Sequence, residues 1–137
     1  MNELIGKKYN KFAFFENDNN EVNCLGLVRL IDKEFDKHIS SYLKNEMNRS
    51  ENLNVFLEKF YDEIDFDLKN KNDIILIKDK DSKSYKHIGI VLDKYYFIHA
   101  PNDFVGTCVE PIYSNLFNNK DIKILRIKKE VENESIL

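Results

Sequence analysis

Apolar positions along this chain change their period once, and the change divides it in two. Cys24, Leu27, Val28, Ile31 and Phe35 recur at three and four residues, the spacing of a buried helical stripe. Leu25 and Leu30 fill more of the girth, so the pattern predicts a central helix with Cys24 in its first turn and Asn23 as its cap. The asparagine-rich residues 16–21 just before it read as a surface loop. Further helical runs are expected over 40–48 and 52–64, the second carried by Leu53, Phe56, Leu57 and Phe60. After Asn70-Lys71-Asn72-Asp73 the pattern turns β-branched, with strands expected over 74–77, 87–92, 95–99 and 122–127. Short strands joined by short turns imply an antiparallel sheet. Helices first and strands afterwards imply an α+β domain, with the Cys24 helix packed across one sheet face.

Composition adds bounds rather than detail. The 137 residues are one domain's worth, and an apolar share of 42% is enough for a core without staples. A domain over 1–129 is expected, with 130–137 a charged, frayed tail. The net charge of −3, with lysines interleaved among acids, gives no field suited to nucleic acid or an acidic membrane. Residues 1–8 lack the apolar core of a signal peptide, and no run approaches a membrane span. The chain is therefore expected to be cytoplasmic as made. An extracellular role would need delivery by a phage particle, lysis or a secretion apparatus.

The candidate chemistry lies in Cys24, His87 and His99. A thiol at a helix start lies near unpaired backbone N–H groups and the positive end of the dipole, and both favour thiolate over thiol. The same N–H groups would hold the oxyanion formed when the thiolate attacks a carbonyl. The other cysteine, Cys108, follows Gly106-Thr107 at the start of an expected edge strand and is not read as a nucleophile. His38 sits in a charged helical segment and reads as a surface residue.

Strand register decides whether the two histidines meet. A three-residue loop centred on Asp93 would set His87 directly opposite His99, Gly89 opposite Phe97 and Val91 opposite Tyr95. A two-residue Asp93-Lys94 turn would send the histidines to opposite faces, but it wants glycine or asparagine in left-handed positions. The longer loop is the better reading. On that face His87 would take the proton of Cys24 and His99 would hold its ring, with open space at Gly89 for the helix end. Ile88, Ile90, Leu92, Tyr96 and Ile98 would form a second apolar layer on the other face. A metal site built from Cys24, His87 and His99 is the weaker alternative, because a zinc site wants a fuller ligand set.

Together these segments resemble the NlpC-type cysteine peptidases, papain-like enzymes that cut peptides of the bacterial cell wall. The resemblance runs from about Gly6 to Ile127. Asn23-Cys24-Leu25-Gly26-Leu27-Val28 stands where the family usually has Asp-Cys-Ser-Gly-Leu-Val. Asn72-Asp73-Ile74-Ile75 loosely matches its Gly-Asp-Leu/Ile-Val strand opening. His87-Ile88-Gly89-Ile90-Val91-Leu92 and Ile98-His99-Ala100 match its two histidine strands. Gly26-Leu27-Val28-Arg29-Leu30 also resembles the branch found among phage tail and prophage proteins.

By this resemblance the fold would be papain-like, with Cys24 the nucleophile, His87 the general base and then acid, and His99 the orienting third residue. It implies a peptidoglycan or peptide substrate, phage-tail or delivery-apparatus proteins as partners, and no cofactor or metal. Tyr9, Asn23 and Leu25 fall at positions that contribute to substrate binding. Asn23 and Leu25 remove the carboxylate and hydroxyl that commonly recognise the free amine end of a stem peptide. An internal stem bond, another amide or thioester, and acyl transfer all stay open. So does a non-catalytic binding or assembly module with the same fold.

Overall fold

In the computed structural model the described residues are 24–43, 49–83, 85, 87–100, 106–113 and 117–129, with 24–26, 42, 43 and 49–54 described by backbone alone. Three helices come first: α1 (Cys24–Ile31), α2 (Lys33–Leu43) and α3 (Arg49–Phe60). The strands are β1 (Tyr61–Ile64), β2 (Ile74–Asp79), β3 (His87–Val91), β4 (Tyr96–His99), β5 (Cys108–Pro111) and β6 (Lys120–Ile127). They form a six-stranded sheet in the order β1-β6-β2-β3-β4-β5, every neighbouring pair antiparallel. The α+β arrangement read from the change of period is therefore present, with β5 at an edge as expected. The proposed tail over 130–137 lies outside the described residues. Among the described residues no helix is long and apolar enough to cross a membrane.

Two local readings needed correction. The helix expected to run through Phe35 is broken at Asp32, whose Oδ1 accepts the Phe35 N–H at 3.1 Å and so caps α2. The axis barely interrupts, since Asp32 N–H still bonds Val28 O and Asp36 N–H bonds Asp32 O. The helix expected to reach Ile64 stops at Phe60, and Tyr61–Ile64 pairs with β6 instead. Phe60 to Ile64 fits a helical step of four, but an open edge on β6 offers a full backbone ladder. Tyr61 then turns toward the helices and Ile64 packs on the far face.

That alternation makes two cores. On the helix side, Leu27 and Val28 of α1, Phe35 and Ile39 of α2, and Phe56 and Leu57 of α3 bury against Ile74, Leu76, Ile88, Ile90, Ile98 and Leu125. Edge-on aromatic contacts, such as Phe35 on Phe56 at 5.5 Å between centroids, lock the helices together. Arg29, nearly fully buried, joins α1 to α2 through Asp36 Oδ1 at 2.7 Å and Ser40 Oγ at 2.6 Å. On the other side Ile75, Ile77, Val91, Phe97, Ile112 and Ile124 form a smaller core, with Phe66 and Phe117 packed against it.

The opening of β2 is fastened separately. Asn72 adopts a left-handed backbone (φ 76°), and Asp73 behind it takes a two-pronged ion pair from Arg126 at 2.9 and 2.8 Å. Val91 N–H to Asp73 O and Asn72 N–H to Val91 O, both 2.8 Å, then tie this turn to the end of β3.

Candidate functional site

His87 and His99 meet, but by a different register from the one expected. The pairs are Gly89↔His99, Ile90↔Ile98 and Val91↔Phe97, so Gly89, not His87, lies directly across from His99. The loop does have three residues between Leu92 and Tyr96, closed by Leu92 N–H to Tyr96 O at 2.9 Å. It is centred on Lys94 because Asp93 Oδ1 accepts the N–H groups of Tyr95 (2.8 Å) and Tyr96 (2.9 Å), which places Asp93 at the loop's start. Moving the centre by one residue shifts the register by two and so preserves the face. The rings bridge the resulting diagonal, with His87 Nε2 2.6 Å from His99 Nδ1.

The space at Gly89 is not open. A Cβ there would lie 2.8 Å from Ile98 O and 3.1 Å from His99 Cβ, so glycine is required by the close approach of β4 rather than by a visiting helix end. The face labelled as a second apolar layer is instead the one α1 covers. Ile88, Ile90 and Ile98 are buried under it, while Tyr96 is exposed at the strand's start. His87 and His99 belong to the opposite face, where Phe97 packs on His99 at 4.4 Å between centroids. Thus the body of α1 and the imidazole pair lie on different sides of β3 and β4.

The backbone of Cys24 is the first residue of α1, as the sequence predicts. Its side chain and that of Leu25 are outside the described residues, as are Tyr9 and Asn23 altogether. His38 differs from its surface reading: its side chain is only 15% exposed, stacked on Phe60 and 3.8 Å from Glu34.

Sequence reasoning missed what lies on the outer side of His99. The edge strand β5 brings Cys108 directly across from His99, and Glu110 across from Phe97. His99 Nε2 is buried 3.1 Å from Glu110 Oε2, though not aligned as a full hydrogen bond. The Cys108 thiol donates to Glu110 Oε1 at 3.8 Å. One donor atom from each of His99, Cys108 and Glu110 lies within 4.8 Å of the others. This His–Cys–Glu cluster, with His99 buried and the other two partly exposed, is a potential catalytic group. Its donor types also suit zinc, through a set that shares only His99 with the Cys24, His87 and His99 set considered from sequence. The available signal was the alternation of Cys108 and Glu110 on an expected edge strand, but only the β4–β5 register makes them neighbours of His99.

Electrostatics separate the roles. Burial holds His99 down to about 4 and His87 down to about 3, the latter lowered further by the neighbouring His99 ring. Both rings are therefore neutral near pH 7, and each carries one proton. Burial, then the adjacent Glu110 carboxylate, pushes the Cys108 thiol up to about 11. That thiol stays protonated near pH 7 and is a weak nucleophile in that form. No family model matches this chain, and no curated protein matches it.

Proposed function

We propose that the protein is an NlpC-like thiol hydrolase with a papain-like fold that cuts peptide or isopeptide bonds in peptidoglycan stem peptides. The observation that carries this reading is the His87–His99 contact at 2.6 Å between two neutral rings, His99 buried and His87 partly so. One imidazole orienting another is the arrangement a thiol–imidazole pair requires, and it arises from the two segments that most resemble the family. The left-handed Asn72 adds support, because it occupies the place of the glycine in the family's strand opening.

In this mechanism His87 takes the thiol proton and the Cys24 thiolate attacks the scissile carbonyl. The protonated His87 passes that proton to the leaving amine as the C–N bond breaks, leaving a thioester on Cys24. Water then adds with His87 as base, and the C–S bond breaks to release the carboxylic acid and the thiol. The thiolate's charge beside the new imidazolium offsets the burial that otherwise keeps His87 neutral. No cofactor or metal enters these steps. Delivery to the wall would be by a phage particle, lysis or a secretion apparatus, with tail or delivery proteins as partners.

The test is incubation of purified sacculi with the protein, following new amino termini and identifying fragments by mass spectrometry. Wild type should release them, and a folded Cys24→Ala variant should not. An alkylating reagent should label Cys24 before Cys108. Equal labelling of the two thiols, or full activity in the alanine variant, overturns the reading.

A second reading, a binding or assembly module that keeps the fold, draws on one observation. The body of α1 packs on the sheet face away from the imidazoles. If Cys24 titrates as an ordinary thiol and no wall chemotype yields new termini, that reading replaces the first.

A further inference from the structure

The geometry points to Glu110 as the residue that sets the tautomers of both histidines, a positioning residue that acts on His87 through His99. Its consequence for catalysis rests on the hydrolase reading above; the tautomer assignment itself does not.

The argument follows the line of atoms inward from the sheet edge. Glu110 Oε2 lies 3.1 Å from His99 Nε2, and His99 Nδ1 lies 2.6 Å from His87 Nε2. An ionised carboxylate has no proton to give, so the nitrogen facing it is best served by carrying one. A neutral His99 protonated at Nε2 has a bare Nδ1, which must accept from its neighbour. His87 then donates from Nε2, and its own Nδ1 is left bare. The carboxylate thus selects one of two otherwise equivalent directions for the short contact, and with it which nitrogen of His87 can receive a proton. Without Glu110, the chain would run as well in reverse, and His87 would present an N–H where a base is needed.

Cys108 has a place in this arrangement. Its protonated thiol donates to Oε1, the other carboxylate oxygen, and helps hold Oε2 toward His99. The His–Cys–Glu cluster is, on this account, the outer anchor of an imidazole relay. Burial of His99, 3% exposed at its side chain, matters because water cannot substitute for the carboxylate there.

Long-range proton–nitrogen NMR of the imidazoles reads the tautomers directly, since protonated and bare ring nitrogens resonate far apart. In wild type at pH 7 both rings should carry the proton on Nε2. Glu110→Gln is near-isosteric on an edge strand and should leave the fold intact. Its amide can donate as well as accept, so a second population with His99 protonated on Nδ1 should appear. Cys108→Ala, which keeps the carboxylate, should retain the wild-type tautomers. Unchanged tautomers in Glu110→Gln, or a wild-type His99 protonated on Nδ1, would overturn the assignment.

With an active preparation, Glu110→Gln should lower kcat by about 10²-fold with KM little changed, as expected when a base is held in the wrong tautomer. The pH profile of Cys24 alkylation separates the two claims. If the tautomers respond to Glu110 while Cys24 reactivity ignores both Glu110→Gln and His87→Ala, the assignment holds and the hydrolase reading fails.

Discussion

The two faces of the central strands differ in kind. One is closed by three helices and contains aliphatic and aromatic side chains, with Ile88, Ile90 and Ile98 at 1% exposure or less. The other is apolar through Ile75, Val91 and Phe97, then becomes polar where His87, His99, Cys108 and Glu110 gather toward the β5 edge. Both faces are written in the same few residues by alternation: His87, Gly89 and Val91 point one way, Ile88 and Ile90 the other. The difference puts close apolar packing on one side of a single layer of backbone and the titratable groups on the other. Polar groups that would be costly inside the helix-side core are placed where each finds a partner or the sheet's edge.

The comparison can be broken most completely at the polar end. Under the proposed hydrolase reading, which joins Cys24 to that end, Cys24→Ala should abolish release of amino termini from sacculi, a loss of about 10⁴-fold or more, while thermal unfolding stays near wild type. His87→Ala should come close to it. On the helix side the opposite is expected: Ile90→Ala should cost about 2–5 kcal/mol in denaturant unfolding and leave the tautomers of the folded molecule unchanged.

Gly89→Ala tests the backbone that both faces share. Its Cβ would collide with Ile98 O and press on His99 Cβ, so a loss of about 1–3 kcal/mol together with altered imidazole NMR signals is expected. A stable variant with unperturbed histidines would show that β4 can yield there.

Acid should act mainly through the polar face. Both histidines titrate lower in the folded state than in the unfolded chain, to about 3 and about 4 against an ordinary 6.5. Below pH 6.5 the unfolded chain therefore binds protons the native protein refuses, and stability falls as pH drops toward about 3. The loss should be on the order of a few kcal/mol and should flatten when both histidines are replaced by phenylalanine. A slope that survives the double replacement would place the sensitivity elsewhere.

The smallest effect belongs to the loop. Asp93→Ala removes two exposed side-chain-to-backbone bonds and should cost about 1 kcal/mol. Backbone NMR contacts across Leu92 and Tyr96 would show whether the register holds without it.

Several features were determined by the chain's own pattern. The period of three and four around Leu27 and Val28, and the β-branched runs afterward, required helices and then strands, because each run is apolar on the face its geometry buries. The even spacing of His87 and His99 required only that an odd-length loop join them for the rings to share a side. Asp93 fixed the remaining choice by binding two N–H groups, a local effect visible only once the turn is built.

What tertiary structure decided was adjacency. Ile64 followed helical spacing yet joined a strand, because the unpaired edge of β6 was available from sixty residues away. Which side α1 would cover depended on how three helices fit one sheet, and no period in α1 encodes that. Glu110 carried no motif at all; it gained a role when the edge strand laid it beside a buried imidazole. Periodicity acts through neighbours along the chain and is legible there, whereas pairings between distant segments depend on which partners compete for the same surface.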